Sequence, residues 1–474
     1  MSAPLFRIDD IRLAERDVAL RLPFRFGSAT VRSCPQAFAQ VRIRFGDGAT
    51  ATGHAAEMMI PKWFDKRPAL SQDDNVRQLR DALAMARDAY RSDSAPSTAW
   101  GHFARWYTDL QSAAAKRDLP ALVASYGPAL LDRAILDALC HHLKLSFGQA
   151  MTANIPGMNP ADSGLVSDLR DFDFNAFLAA HDASSMDRKI AARHTVGLAD
   201  ALTGAPAGLP EDGLPVTLAQ AVARYGHDYF KIKLSGDTAA DLRRLADITA
   251  VISQNMRLVS LDGNEQFEDQ AHLAQFTEAL ERHPDLGPLR AHLAYIEQPL
   301  PRSSTLTSDL SARKQPYALL IDESDATLDS FLEARPLGYT GVSSKSCKGF
   351  YKSVINAARC AHWPVSDGRP YFLSAEDLTM QAGIGVQQDL ALVGWLGLEH
   401  VERNGHHYVN GLAGTPDTEQ NQFLSQFPAL YERSNGAVRL HIAQGRIDLS
   451  DLDCPGFATG TDEPITWSTL RSTH

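Results

Sequence analysis

The sequence lacks several features that would indicate whole classes of function. Acidic residues outnumber basic ones by 57 to 46, and no basic tract interrupts this balance, which argues against nucleic-acid binding. The five cysteines are odd in number and scattered, so they predict neither a disulfide framework nor a zinc site. No apolar run approaches membrane-spanning length, and the first residues contain no apolar signal segment. We therefore expect a soluble cytoplasmic protein.

The middle of the chain alternates short apolar runs with stretches whose apolar residues recur at helical spacing. Five successive runs end in a charged residue, and these ends lie 23 to 35 residues apart, at Lys233, Asp262, Glu297, Asp322 and Lys345. Each interval fits one strand and one helix. The pattern favours a (β/α)₈ barrel, in which all strand carboxyl ends open onto one face. No glycine-rich phosphate loop supports an open doubly wound sheet.

Three carboxylates and two lysines at one barrel mouth would repel within each set unless something organised them. A divalent cation would do so, and carboxylate oxygens suit Mg²⁺. The segment "FKIK" ending at Lys233 also contains Lys231, and residues two apart in a strand face the same side. A strand with one face in water is the alternative explanation of this lysine pair.

These motifs resemble those of the enolase superfamily, specifically its muconate-lactonizing-enzyme-like branch (the mandelate racemase/muconate lactonizing enzyme family). In chain order they are "FKIKLSGD", "SLDGN", "YIEQPLP", "LIDES" and "SSKSCKG". Residues 130–151 are similar to the helix that enters the barrel domain, and the resemblance covers about residues 5–60 and 128–410. It implies an α/β fold, namely a modified (β/α)₈ barrel with an α+β N-terminal capping domain.

The resemblance also implies roles for the charged strand ends. Mg²⁺, with Mn²⁺ as an alternative, would be bound by Asp262, Glu297 and Asp322. Two lysines would serve as acid and base on opposite faces of a small carboxylate substrate, namely Lys233 and Lys345. The reaction would remove the proton next to the carboxylate and form an enediolate, which cations stabilise. The base must be a neutral lysine, and Lys231 would lower its pKa as a cationic neighbour.

A His–Asp pair is the arrangement used by the mandelate-racemase-like branch. The predicted seventh strand, "PYFLSAED", ends in Glu376 and Asp377 and contains no histidine. The two-lysine arrangement is therefore favoured. Glu376 and Asp377 are predicted to bind substrate or to lie beside the metal ligands. The same is predicted of Asn264 and Glu323, although a turn cap or a solvated carboxylate would explain these two nearly as well.

The capping domain would contribute substrate contacts from two segments, about residues 22–30 and 53–66. Candidates on these segments are Arg25, His54, Lys62 and Trp63. Surface charge or cap packing is the preferred explanation of His54 and Lys62. His406 and His407, in the eighth-strand region, are better explained by a solvated turn than by a position at the mouth.

We expect a cap of residues 1–127, joined by residues 415–474, and a barrel of residues 128–414. An insertion at about residues 152–190 departs from the family pattern, and segments of that length are often functional loops, lids or oligomer contacts. The expected activity is epimerisation, β-elimination or cycloisomerisation, and a homo-oligomer is expected. Alternatives are a sugar-acid dehydratase, an inactive barrel acting as a scaffold, or another metal-dependent barrel enzyme such as an aldolase or hydrolase.

Overall fold

Eight short parallel strands close into a barrel at the centre of the computed structural model. The structure describes residues 3–27, 29–92, 94–161, 163–181, 188–312, 315–461 and 463–473. The strands are β1 (Phe6–Phe26), β2 (Ala29–Phe45), β3 (Thr50–Met58), β4 (Lys189–Val196), β5 (Tyr229–Lys233), β6 (Leu258–Asp262), β7 (Leu293–Glu297), β8 (Ala318–Ile321), β9 (Gly341–Ser344), β10 (Phe372–Ala375), β11 (His400–Arg403), β12 (Tyr431–Ser434), β13 (Ala437–Leu440), β14 (Arg446–Asp448) and β15 (Arg471–Ser472).

The helices alternate with the barrel strands and also cover one side of the N-terminal sheet. They are α1 (Gln72–Ser92), α2 (Ala99–Ala115), α3 (Ala121–Leu143), α4 (Phe147–Thr152), α5 (Phe174–Ala179), α6 (Leu218–Tyr225), α7 (Thr238–Ile252), α8 (Gln270–Arg282), α9 (Gly287–His292), α10 (Arg302–Thr305), α11 (Ser330–Ala334), α12 (Phe350–Asp367), α13 (Ile384–Trp395), α14 (Gly405–Tyr408) and α15 (Asp417–Gln426). Among the residues described, no helix combines the length and apolar character needed to cross a bilayer.

The barrel consists of β4 to β11 in sequence order, and β11 pairs with β4 to close it. This closure confirms the predicted (β/α)₈ architecture. Side chains of β5 alternate as the sequence predicts: Phe230 and Ile232 pack in the apolar layer, whereas Lys231 forms ion pairs inside the barrel. Aspartates start two of the following helices, because the Asp237 and Asp269 side chains accept hydrogen bonds from the first turns of α7 and α8.

The N-terminal part forms an antiparallel sheet in the order β15-β1-β2-β3, which confirms the predicted α+β cap. The sequence "FGDG" forms the turn between β2 and β3, where Gly48 has a φ of 87°. The C-terminal segment touches both parts, since β15 pairs with β1 and β14 pairs with β4. The division of the chain at residues 127 and 414 stays a prediction.

The described part of the 152–190 insertion packs against the side of the barrel. Asp168 accepts hydrogen bonds from Arg359 and Trp363 of α12, and residues 174–179 form α5. Residues 162 and 182–187 of the insertion lie outside the described residues. The first barrel strand begins at Lys189, earlier than the predicted "RHTVGLAD". The role of the insertion stays open.

The cap and the barrel meet at α3, which is buried from Leu122 to Cys140. Strand β3 approaches this helix closely at Gly53. A Cβ atom at this position would lie 2.2 Å from both the Ala134 carbonyl oxygen and the Ala138 backbone nitrogen. Only glycine allows this approach, because both neighbouring atoms belong to the backbone of a packed helix.

We expect Gly53→Ala to destabilise the protein by at least about 1–3 kcal/mol, the usual cost of overpacking. Urea unfolding followed by circular dichroism would measure the change. Gly46→Ala is the matched control, because no atom lies within 4 Å of a Cβ there. Equal stability of the two variants would contradict the close packing of β3 on α3.

Candidate functional site

The registers of adjacent strands bring the charged strand ends to one rim of the barrel. Lys233 pairs with Asp262 across β5 and β6, and Asp262 pairs with Glu297 across β6 and β7. Glu297 pairs in turn with Leu320, two residues before Asp322. The three carboxylates are at most 1% exposed. The predicted metal ligands therefore occupy three neighbouring, buried positions.

The two candidate acid/base lysines each contact one of these carboxylates. Lys233 Nζ lies 2.6 Å from Asp262 Oδ2, and Lys345 Nζ lies 2.5 Å from Asp322 Oδ2. Burial has the largest effect on Lys345 and lowers its pKa, but the carboxylates of Asp322, Glu297 and Glu402 together raise the pKa of Lys345 above its usual value. A carboxylate in contact with a lysine keeps the lysine protonated. Before either lysine can accept a proton, its contact with the carboxylate must break, or another cation must take part of the carboxylate's negative charge.

Lys231 lies among carboxylates. Its Nζ donates to Glu297 at 2.8 Å, Glu376 at 2.7 Å and Glu402 at 3.0 Å. Burial alone would lower the pKa of Lys231, but Asp262 and these three glutamates raise it well above its usual value. The sequence predicted a cationic neighbour that lowers the pKa of the base. The Lys231 ammonium has this effect on Lys345, although nearby carboxylates outweigh it. Lys231 also neutralises buried glutamates.

Glu402 is a member of the site that the sequence prediction missed. It accepts hydrogen bonds from Thr195 Oγ1 at 2.6 Å and from the Asp377 backbone N–H at 3.0 Å. Burial opposes its ionised form, yet Lys231 and Lys233 hold the pKa of Glu402 well below its usual range. It is the penultimate residue of β11, and the surrounding "LEHVERN" is too polar to indicate a buried strand.

Glu376 and Asp377 follow β10, as predicted, and both are buried. Glu376 lies inside the barrel, 2.5 Å from Arg193 Nη2 and 2.7 Å from Lys231 Nζ. Asp377 accepts hydrogen bonds from the backbone N–H groups of Met380 and Asn404. Glu376 thus belongs to the network around Lys231, whereas Asp377 shapes the loop at the mouth.

A contact from the cap fixes the segment that carries Lys345. Ser346 Oγ donates to Glu57 Oε2 of β3 at 3.0 Å, and Arg133 of α3 donates to the same oxygen. Lys345 Nζ also lies 4.3 Å from the ring centroid of Trp63. The cap therefore positions this lysine from two directions.

Both candidate acid/base lysines line one small cavity at the mouth. The cap covers it with apolar side chains, and the barrel contributes polar ones; the lining includes Phe24, Phe26, Ile60, Trp63, Lys233, Lys345, Asp377, Glu402 and Asn404. Its volume is about 20 Å³, enough for about one water molecule. A substrate with several carbon atoms can enter only if the cap segments move.

The chemistry of the donor set fits a hard divalent cation. Carboxylate oxygens from Asp262, Glu297 and Asp322 meet at one rim, and such oxygens are the ligands that Mg²⁺ prefers. Burial, with the added repulsion of Asp262 and Glu376, raises the pKa of Glu297 well above its usual value. A further positive charge beside Glu297 would relieve this penalty.

Asn264 and Glu323, the predicted neighbours of the metal ligands, contact a candidate ligand and each other. The Asn264 backbone N–H donates to Asp262 Oδ1 at 2.8 Å, and its side-chain amide donates to Glu323 at 3.2 Å. Glu323 also contacts Lys66 of the cap at 3.1 Å, a residue that sequence reasoning missed. Asn264 therefore orients a candidate ligand, whereas Glu323 connects the barrel to the cap.

The structure separates the candidates on the cap. Arg25 is exposed, because strand alternation places it opposite Phe24 and Phe26, which line the cavity. The structure thus does not bring Arg25 to the cavity, whereas it does bring Trp63 there. Lys62 Nζ donates to the Arg67 carbonyl oxygen at 3.0 Å, in agreement with a packing role. The buried His54 interacts with Gln40 within the cap sheet.

Comparison with known proteins supports the assignment of the fold. Residues 215–364 match the family model described as enolase C-terminal domain-like. This segment contains all five charged strand ends, from Lys233 to Lys345. The resemblance to the enolase superfamily is therefore confirmed. No curated protein sequence matches the chain.

Solved structures are similar over nearly the whole chain, at low identity. An isomerase from Streptomyces coelicolor A3(2) is 15% identical, with a TM-score of 0.59 and 96% of each chain covered. The L-Ala-D/L-Glu epimerase from Bacillus subtilis is 15% identical (TM-score 0.57), covering 95% of this chain and 98% of that one. Muconate lactonizing enzyme from Pseudomonas fluorescens is 15% identical (TM-score 0.57), with 98% and 97% covered. At this identity the similarity establishes the fold.

We expect Glu402→Gln to cost about 1.5–3 kcal/mol of stability, because it removes one charge-assisted hydrogen bond from the buried Lys231 ammonium. Urea unfolding at neutral pH would measure the loss. The control is Glu399→Gln in the same segment, which is exposed and should change stability by less than about 0.5 kcal/mol. Similar stability of the two variants would contradict the ion-pair network.

Proposed function

We propose that this chain, which has the fold and the barrel motifs of the enolase superfamily, removes the proton next to the carboxylate group of a small-molecule substrate. The observation that carries the proposal is the pair of lysines lining one cavity. Lys233 ends β5 and Lys345 follows β9, four strands apart in the closed barrel. In an eight-stranded barrel this separation places them on opposite walls.

Opposite walls give each lysine access to a different face of a carbon atom held between them. One lysine removes the α-proton, and the other can return a proton from the opposite side. This arrangement favours racemisation or epimerisation, which need one base for each face. Cycloisomerisation and β-elimination need one of the lysines as base and use the other as acid or as a charge stabiliser.

Removal of the α-proton leaves an enediolate with additional negative charge on the carboxylate oxygens. Bound by Asp262, Glu297 and Asp322, Mg²⁺ (or Mn²⁺) would supply Lewis-acid stabilisation of that charge. The chain itself contributes the lysine ammonium groups and the apolar cover of Phe24 and Trp63. Such a cover excludes water, and electrostatic interactions strengthen where water is excluded.

We expect the protein to bind Mg²⁺ through the three carboxylates. Asp262→Asn or Asp322→Asn should weaken Mg²⁺ binding at least tenfold, because each removes a charged oxygen ligand. Isothermal titration calorimetry on chelator-treated protein would measure this directly. Asp241→Asn is the control, since this buried carboxylate accepts hydrogen bonds from the Ser235 and Gly236 backbone N–H groups and is not a proposed ligand.

Proton abstraction itself can be tested without knowing the substrate. We expect the protein with Mg²⁺ to exchange the α-proton of at least one member of a carboxylic-acid panel with solvent deuterium, as followed by NMR. Exchange that persists fully in excess chelator would contradict the metal assignment. Mg²⁺ binding without exchange in any panel member would favour a scaffold role and contradict the proposal.

The two lysines should give different defects. Lys233→Met and Lys345→Met should each lower turnover by at least about 10²-fold, the usual contribution of a general acid or base. For an epimerase, each variant should still exchange the α-proton of one enantiomer and fail with the other. Lys352→Met is the control: this buried lysine contacts Asp325 outside the cavity and should retain exchange with both. Near-normal turnover in both cavity variants would contradict the proposal.

A further inference from the structure

Three buried histidines converge beside the seam at which the barrel closes. His194 lies on β4, His227 precedes β5, and His406 lies on α14 directly after β11. Arg193 and Thr195 contact Glu376 and Glu402 inside the barrel, so strand alternation turns His194 to the outside. This histidine cluster is therefore separate from the carboxylates at the mouth.

One nitrogen from each ring lies near the other two. His406 Nε2 is 3.1 Å from His194 Nδ1 and 3.1 Å from His227 Nε2, and the three residues can each offer one ligand atom within 4.8 Å of the other two. Zinc bound by imidazole at 2.0–2.1 Å in a tetrahedral site separates its nitrogen ligands by about 3.3 Å. The two short distances are close to this spacing.

Protons alone cannot satisfy this arrangement. His227 Nδ1 lies 3.2 Å from the Ala192 carbonyl oxygen, which places the proton on Nδ1 and leaves Nε2 with a bare lone pair. If His406 Nε2 carries a proton, it can donate to His227 but has no lone pair for His194. If His406 Nε2 is bare, it faces the bare nitrogen of His227. Every choice of neutral tautomers leaves one of the two contacts without a good hydrogen bond.

Adding a proton to the cluster is unfavourable. Burial lowers the pKa of His194 and His406 well below the usual value, and the neighbouring histidines lower both further. Burial likewise lowers the pKa of His227, to about 4. The rings are thus neutral at physiological pH, which is the form in which histidine binds metals.

We propose that His194, His227 and His406 form a second metal site, which takes Zn²⁺ or a similar transition-metal ion. The metal uses His194 Nδ1, His227 Nε2 and His406 Nε2, while each ring keeps its single proton on the other nitrogen. Binding therefore releases no proton. Imidazole ligands select such ions over Mg²⁺, so the two sites discriminate by ligand type.

The surroundings can accommodate the added charge. Arg21 and Arg403, the cations near His406, are paired with Asp212 and with Asp389 respectively. Tyr225 packs its ring against His406 and His227, and its buried hydroxyl makes no hydrogen bond to any described group. A water molecule in the fourth coordination position could satisfy such a hydroxyl.

A metal at this site would connect the two strands, β4 and β11, whose pairing closes the barrel. Its ligands come from the first barrel strand, from the segment just before the second, and from the helix that directly follows the eighth. No ligand comes from the strands that carry the proposed Mg²⁺ site. We therefore expect a structural metal whose binding does not depend on catalysis.

Untagged, chelator-treated protein titrated with Co²⁺ in the presence of excess Mg²⁺ would test the proposal. We expect one equivalent to bind and to give the visible absorption of a four-coordinate, nitrogen-rich Co²⁺ site. Zn²⁺ should displace the Co²⁺ and raise Tm. Absence of Co²⁺ uptake, or uptake without that absorption, would overturn the proposal.

Variants assign the ligands. His227→Gln and His406→Gln should each weaken Co²⁺ binding at least tenfold, whereas His400→Gln, a histidine of β11 outside the cluster, should not. Asp262→Asn should leave the Co²⁺ spectrum unchanged, which distinguishes failure here from failure of the Mg²⁺ proposal. Unchanged binding in the two cluster variants would overturn the assignment.

If these variants fail to fold, crystals of the wild-type protein grown with Zn²⁺ provide the test, through anomalous diffraction at the zinc edge. An anomalous peak among the three nitrogens would support the site, and the absence of a peak there would overturn it.

Discussion

The compensation of buried charge at the barrel mouth is the constraint on which the rest of the structure depends. Asp262, Glu297 and Asp322 are at most 1% exposed, and an isolated buried carboxylate would be protonated or would unfold the site. Lysines from β5 and from the segment after β9 supply the opposite charges. Buried ion pairs seldom add net stability over apolar packing, so stability alone does not explain so dense a network. The proposed proton transfer would give a chemical reason for it.

The cap closes the cavity lined by the lysines of this charge network. Arg302, beyond β7, donates to the carbonyl oxygens of Trp63 and Phe64 at 2.9 and 2.8 Å, and Lys66 pairs with Glu265 and Glu323. These contacts hold the cap segment that covers the lysines. Because they are polar, water can replace them when the segment opens. In the proposed function, closure around a substrate and release of a product would use the same contacts.

The sequence predicted the fold and the charged strand ends because both depend on local patterns. A short apolar run that ends in one charged residue indicates both a barrel strand and the end of that strand at the barrel mouth. Glu402 escaped prediction because its strand is short and polar, and its burial depends on Thr195 and Lys231 from other strands. Arg25 belongs to a cap segment predicted to contact substrate, but this segment continues the long hairpin of β1 and β2, so strand alternation turns the Arg25 side chain outward.

The histidines escaped prediction for a related reason. A His-His pair after a short strand is typical of a solvated turn, as predicted for His406 and His407. The structure shows both residues buried, because the closed barrel brings His194 and His227 against His406. The insertion and the reaction itself are not predictable in this way, because loop packing and substrate shape leave no periodic signal.

Strands β4 and β11 connect the two sites physically. On the inner side of their seam, Thr195 donates to Glu402, which in turn accepts from Lys231. On the outer side, His194 meets His406. A metal held on the outer side would fix the position of β11 against β4. The pairing of β4 with β11 also determines the position of Glu402 relative to the lysines. A metal bound to the histidines would therefore help to keep Glu402 in place.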